Sequence, residues 1–521
     1  MPDPQPHVLE TDVPLSQSLI WRLQRDFYVK RGLKAWTEDR VPEFITNNPF
    51  IAEIYARIVF NFLADCGPAG KPLRILEVGA GTGKFSYLFL RHLAELLRAK
   101  GFEPEAVRYC MTDCSEALLQ SWRGNRYLAE FAERGMLEFE PLQAGAEINS
   151  RFLSGKGPLA VIANYVFDGL PQDAFVIRDG RIYEALVSTT AAENPSPSLS
   201  HLQLSYKNVD VAPNRYSDAI WNRILELYRN SLPTATILFP SGALNFLEDI
   251  GKLTDGPMLV LAADKGFPYE GELALCQGTP TLEFHAANCF SQMVNLDAIA
   301  KYFRNAGGTA LMPQKHSSSL SICGFLQGKS GNQFPATSAA YEEAQATIGP
   351  DDLFILFAWL NAHMEEMTVA QILSALRLTR WDPIAFLRLF PVLARQLRTV
   401  SLERMDLREA VMRVWANHYP LNASENEIAF DCGVVLLELR FYDDALAMFK
   451  ESQRIFGASA ATSYNLGLCH QGMGRCSEAQ AFMVDACNLD PKFEPARRAL
   501  EKLQNQNRAS DPVQRNELKD S

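Results

Sequence analysis

Residues Arg74 to Ser86 read RILEVGAGTGKFS, and the fold is decided there. Leu73, Ile75, Leu76 and Val78 make a short apolar run of the kind buried in a parallel sheet. Gly79, Gly81 and Gly83 follow at alternate positions, and the periodicity predicts a helix from Phe85 to about Leu97. Strand, glycine turn and helix form the first half of a nucleotide-binding βαβ unit. In such a unit the glycines let the backbone approach a ligand resting on the helix N-terminus. The dinucleotide fingerprint is G-x-G-x-x-G, and Lys84 stands where its third glycine would be.

The pattern is instead E-x-G-x-G-x-G, from Glu77 to Gly83. It resembles motif I of class I S-adenosyl-L-methionine (SAM) methyltransferases; a glycine turn in another α/β protein is the plain alternative. The resemblance implies SAM as cofactor, with Glu77 near the methionine ammonium and Gly79, Gly81 and Gly83 making room for methionine and ribose. A second strand, Val107 to Thr112, ends at Asp113, where such enzymes bond the ribose hydroxyls. Asp113 and Ser115 are also cap residues for the helix SEALLQSW, and the two roles can coexist. A third strand, Met136 to Glu140, leads into EPLQAGAE, which places Gln143 or a nearby amide against the adenine, or in solvent.

Strand four, Leu159 to Ala163, opens into Asn164, Tyr165, Val166, Phe167, Asp168, Gly169, Leu170 and Pro171. Ligands of open α/β sheets bind at the carboxyl ends of the strands, so the methyl group is expected here. Its transfer is an in-line displacement at a sulfonium carbon, which needs an oriented nucleophile and a base for any proton that nucleophile carries. Asn164 and Asp168 are the candidate catalytic residues: Asn164 as acceptor of a hydrogen bond from a nucleophilic N–H, Asp168 as base or as partner of a cationic substrate. Against these stand a backbone tie at Asn164 and a helix cap at Asp168.

The sequence has 521 residues, enough for two or three domains, with 47% hydrophobic and 21% charged residues. A net charge of −11 argues against a nucleic-acid duplex as main partner. The first residues, MPDPQPHVLETDVPLSQ, lack the basic and apolar regions of a secretory signal, and no apolar run approaches the roughly 20 residues of a membrane helix. The ten cysteines lack metal-ligand spacing, so no metal is expected and a reduced cytoplasmic setting is the default.

The fold class is therefore α/β: a Rossmann-like seven-stranded sheet, mostly parallel with an antiparallel last strand, behind an N-terminal helical lid and followed by an all-α domain. Residues 1–13 read as a loose tail, and 15–62 as helices split by WTEDRVPEF, with Asn48 capping a helix that starts at Pro49. AFVIRDGRIYEALV is a hairpin turning at Asp179-Gly180, and 188–215 reads as a surface excursion. Helices follow over Asn214 to Asn230 and Gly242 to Leu253. Strand five is Met258 to Ala263, and the last strand Leu320 to Leu326.

FITNNP, VIANYVFDGLPQDAF, LVLAADKG and MVNLDAIAKYF with AGG occur in that order, and together they resemble the MidA-like methyltransferases. Mitochondrial members of that family assist respiratory complex I assembly by methylating a protein arginine. Two departures stand out: Tyr165 replaces the glutamate of the family's Asn-Glu pair, and Phe44 to Pro49 lacks a following glutamate.

Toward the C-terminus Gly433 recurs at Gly467, Ala445 at Ala479, Phe449 at Met483 and Gly457 at Pro491, a constant spacing of 34. These positions match the small and aromatic sites of the tetratricopeptide repeat, which implies a protein partner or substrate, with a small-molecule O- or N-methyltransferase or a degenerate SAM-binding scaffold as the other readings; a coincidental helical pair is the alternative to the repeat itself. The domains expected are a helical segment 1–66, the SAM-binding domain 67–327, a linker 328–350, a helical connector 351–424, repeats with a capping helix 425–506, and a disordered tail 507–521.

Overall fold

The computed structural model describes residues 7–37, 45–67, 71–191, 199–285, 289–315, 317, 319–328, 334–347, 349–420 and 427–510. The chain divides into two compact units, Met1–Leu353 and Phe354–Ser521. The first unit opens with β1 (His7–Val13), α1 (Leu19–Arg31), α2 (Lys34–Thr37), α3 (Pro49–Cys66), β2 (Leu73–Val78), α4 (Lys84–Ala99) and β3 (Val107–Asp113). There follow α5 (Glu116–Arg123), α6 (Arg126–Glu133), β4 (Leu137–Pro141), β5 (Leu159–Asn164), β6 (Asp173–Arg178), β7 (Arg181–Ala191) and β8 (Leu202–Asp210). Then come α7 (Ala219–Ser231), β9 (Thr234–Phe239), α8 (Ser241–Leu253), β10 (Met258–Asp264), α9 (Glu270–Leu273), β11 (Glu283–His285) and β12 (Cys289–Ser291). The unit closes with α10 (Leu296–Asn305), β13 (Thr309–Leu311), β14 (Ser321–Gln327) and α11 (Pro335–Thr347).

Seven strands form the central sheet in the order β13-β14-β10-β5-β2-β3-β4. β14 runs antiparallel to both neighbours, whereas β10, β5, β2, β3 and β4 are mutually parallel. β2 and β5 lie in the middle, and every residue of β2 is buried, as its apolar run requires. From β2 the chain proceeds to β3 and β4 on one side; from β5 it proceeds to β10 on the other. This reversal opens a crevice above the carboxyl ends of β2 and β5.

A second, antiparallel sheet has the order β1-β7-β6-β9, with β8 on β7. It corrects three expectations. Residues 7–13 of the supposed tail are β1, which pairs with β7 from His7↔Ala191 to Val13↔Val187. The supposed excursion contains the end of β7 and all of β8, in register from Tyr183↔Asp210 to Ala191↔Leu202; residues 192–198 lie outside the described ones. β9 was not anticipated at all. The partner of β1 is far away in sequence, and a strand at a sheet edge leaves little local pattern. The hairpin turn is where it was expected: Asp179 and Gly180 have φ of 50° and 73°, the two positive values a type I′ turn demands.

The α3 cap is likewise as expected, Asn48 Oδ1 accepting from Ile51 N–H at 3.0 Å beside Pro49. Within the supposed linker 328–350, however, residues 335–347 are α11. Asp65 accepts from the N–H groups of Ala336 and Thr337 at 3.1 and 2.7 Å, and the Tyr341 hydroxyl donates to the Ile322 carbonyl. Alanines between Gly- and Ser-rich flanks hid a helix capped from α3.

The helices from α12 (Pro350–His363) onward are α13 (Val369–Leu378), α14 (Pro383–Gln396), α15 (Arg404–Ala416), α16 (Ile428–Glu438), α17 (Tyr442–Phe456), α18 (Ala460–Gly472), α19 (Cys476–Leu489) and α20 (Glu494–Ser510). α16/α17 and α18/α19 are successive helical hairpins. A Cβ on Gly433 would lie 2.7 Å from the Phe449 ring, and one on Gly467 would lie 2.9 Å from Met483 Cε. α20 continues to Ser510, into the segment expected to be a disordered tail; residues 511–521 lie outside the described ones. No helix among the described residues is long and apolar enough to cross a membrane.

Candidate functional site

The crevice at the sheet reversal is a cavity of about 280 Å³. Its floor is the turn after β2, where Gly79 and Gly81 have φ of 67° and 53°, a left-handed backbone that side chains disfavour. Both line the cavity. Gly83, with φ of 81°, caps α4 and is not among the residues lining the cavity. Ala80 N–H donates to the Thr112 carbonyl at 2.9 Å and ties the turn to β3.

Glu77 is 4% exposed and reaches the cavity wall. Its Oε2 accepts from the Tyr109 hydroxyl at 2.6 Å and from the Ser86 hydroxyl, which leaves Oε1 to a ligand. Burial pushes its carboxyl up to about 7, against the pull of these two donors. Asp113 Oδ1 accepts from Ser115 N–H at 3.0 Å and Oδ2 from Gly81 N–H at 3.3 Å. It therefore serves the helix cap and the glycine turn together, and it lines the cavity. Burial raises its carboxyl above the usual range. Gln143 lines the cavity as well, on the loop after β4.

At the end of β5 the sequence expectations need correction. Asn164 lines the cavity, but its Oδ1 accepts from the buried Tyr55 hydroxyl at 2.9 Å. The Tyr55 hydroxyl thus holds the carboxamide and takes one of the two lone pairs of its Oδ1. Asp168 is outside the wall. Burial pushes its carboxyl up to about 6, although the charge of Lys265 and the neighbouring Asp264 carboxyl lower it. Asp264 has no exposure, accepts from Phe167 N–H at 3.1 Å, and is raised well above the usual range by burial and by the charge of Asp168. Asp264 thereby anchors the loop after β5, and neither carboxyl is among the residues lining the cavity. In that loop Tyr165 takes φ of 53°, a left-handed conformation that costs a non-glycine residue about 1–3 kcal/mol.

Sequence reasoning missed the opposite wall, formed by Trp21, Gln24, Arg25 and Tyr28 of α1. Their i, i+3, i+4, i+7 spacing was the available signal: a helix face mixing aromatic and polar groups is poorly suited to pure core. Tyr55 and Asp264 carried no local signal, because each acts through a partner distant in sequence.

Residues 54–296, a little under half the chain, match a protein family described as "Putative S-adenosyl-L-methionine-dependent methyltransferase". Among solved structures, an uncharacterized protein from Burkholderia thailandensis is similar at 14% identity, over 62% of this chain and 89% of that one, with a TM-score of 0.40. A member of the same superfamily from that organism, bound to S-adenosyl-homocysteine, shows 16% identity over 55% and 79%, with a TM-score of 0.36. The magnesium protoporphyrin IX methyltransferase of Synechocystis PCC 6803, with bound SAM, shows 10% over 59% and 97%, with a TM-score of 0.26. Among curated proteins none matches the chain. With the glycine turn and its flanking acids in one cavity, the family match makes this chain a SAM-dependent methyltransferase. Its cofactor is SAM.

Proposed function

We infer that the enzyme methylates a protein substrate and that the helical hairpins of the second unit recruit it. The observation carrying this reading is the repeated contact at the 34-residue spacing: Gly433 against Phe449 recurs as Gly467 against Met483. Small residues that let paired helices close on a bulky side chain suit tetratricopeptide repeats, whose stacked hairpins form extended binding surfaces. In the first unit Glu77 Oε1 is suited to the methionine ammonium, Gly79 and Gly81 to the methionine and ribose, Asp113 to the ribose hydroxyls and Gln143 to the adenine edge. SAM supplies an electrophilic methyl group on a sulfonium sulfur; the chain's part is to orient it toward Asn164 and keep the acceptor in line. The run of motifs from Asn164 to Pro171 and from Leu259 to Gly266 favours a place among the MidA-like enzymes. Tyr165, standing where a glutamate would be, argues against carrying their arginine acceptor over. The ten free thiols suit a reducing compartment such as the cytoplasm.

The test incubates the full chain with methyl-tritiated SAM and lysate of the source cells, then separates protein from small molecules. Label is expected in protein. A Gly467→Leu variant, which disturbs the second hairpin, is expected to lose most of that label while binding S-adenosylhomocysteine normally. Undiminished protein labelling by this variant would refute recruitment by the hairpins, and label confined to small molecules would refute the protein substrate.

A further inference from the structure

We propose that the methyl acceptor is a carboxylate, so that the product is a methyl ester; this rests on the cofactor placement given above. The two carboxylates in the cavity wall are both committed at the cofactor end, Glu77 to the ammonium and Asp113 to the ribose, the glycine turn and the α5 cap. Among the groups that remain, three side chains can donate to an acceptor. Tyr55 holds Asn164 by its Oδ1, which leaves the amide's N–H₂ for the acceptor. Gln24 spends Oε1 on Phe290 N–H at 3.0 Å, and its Nε2 sits 3.7 Å from where a Cβ of Gly169 would be. Arg25, on the exposed rim and close enough to Cys114 for its charge to be felt there, is the cation of the wall. The cofactor's own carboxylate can take one of these donors, and two are left.

A guanidinium or ammonium acceptor would meet the Arg25 cation and find no uncommitted carboxylate in the wall to balance its own charge. It would also need to lose a proton, and the wall offers no base. Burial raises the Tyr28 hydroxyl well above its usual range and pushes the Cys114 thiol up to about 12, while Asp168 and Asp264 are not among the residues lining the cavity. A carboxylate meets both conditions, because it is already ionised near neutral pH. One oxygen accepts from the donors while the other attacks. The C–O bond forms as the S–CH₃ bond breaks, and the electron pair of that bond stays on sulfur. The positive charge of the sulfonium and the negative charge of the acceptor vanish together, and no proton moves.

Methyl esters release volatile methanol in mild alkali, whereas N-methyl groups do not. Full-length enzyme is incubated with methyl-tritiated SAM and lysate, the label of enzyme-free lysate is subtracted, and the protein and small-molecule fractions are each treated with alkali. Most of the added label is expected to become volatile. Arg25→Gln is expected to lower it about tenfold, the loss of one charge-assisted hydrogen bond, with S-adenosylhomocysteine affinity nearly unchanged. Alkali-stable label in either fraction overturns the carboxylate and leaves methyl transfer standing. Alkali-labile label confined to small molecules upholds the carboxylate and overturns the protein substrate. No label from an enzyme that still binds S-adenosylhomocysteine overturns both. An equal loss of affinity and of label in Arg25→Gln would put Arg25 on the cofactor and overturn its part in binding the acceptor.

Discussion

If Glu77 receives the cofactor's ammonium, binding of S-adenosylhomocysteine must depend on pH in a set direction. With its carboxyl pushed up to about 7, Glu77 in the free enzyme is roughly one-tenth ionised at pH 6 and nine-tenths at pH 8. The ammonium favours the ionised form, so bound Glu77 titrates lower and binding at pH 6 releases close to one proton. The association constant is expected to rise about tenfold from pH 6 to pH 8, close to 1.4 kcal/mol. Isothermal titration calorimetry in two buffers of different ionisation enthalpy reads both the affinity and the proton. Glu77→Gln, which keeps shape but cannot ionise, should bind more weakly with a flat profile. A flat profile in the unaltered enzyme, or one unchanged in Glu77→Gln, would refute the placement of the ammonium.

Tyr55→Phe removes the hydroxyl that holds Asn164, so transfer of label to lysate should fall about tenfold while S-adenosylhomocysteine affinity holds; stability should drop by about 1 kcal/mol in urea unfolding. Unchanged transfer would show that the Asn164 amide needs no anchor. Gly433→Ala should destabilise the second unit more than Gly467→Ala, by about 1 kcal/mol, since the first drives a Cβ into the stiff Phe449 ring and the second mainly meets the flexible end of Met483. Thermal unfolding of the two variants checks the order, and the reverse order would refute it. Asp65→Ala uncaps α11 and should cost about 1–2 kcal/mol, with faster proteolytic cleavage between residues 335 and 347.

The parallel core was legible because its determinants are local: β2 is a continuous apolar run, and the turn after it needs left-handed backbone at Gly79 and Gly81. Glu77, Asp113 and Gln143 could be placed in the cavity wall for the same reason, each lying at or just beyond a strand end recognisable by itself. Beyond its β6–β7 hairpin the antiparallel sheet was not legible, since β1, β8 and β9 are set by partners distant in sequence and β8 alternates between half-buried and exposed positions. The candidate catalytic residues show the same limit. Asn164 lines the cavity, but one lone pair of its Oδ1 is taken by Tyr55 on α3, and Asp168, outside the lining, lies beside Asp264 on β10. Which atoms of a polar group remain free depends on its hydrogen-bond partners, and sequence spacing alone does not reveal them.

The most direct measurement is a crystal structure of the enzyme grown with S-adenosylhomocysteine. The expected density lies on Gly79 and Gly81, with the ammonium at Glu77 Oε1, the ribose hydroxyls at Asp113 and the sulfur turned toward Asn164. A ligand bound elsewhere, or a cavity filled by its own side chains at saturating ligand, would contradict the account.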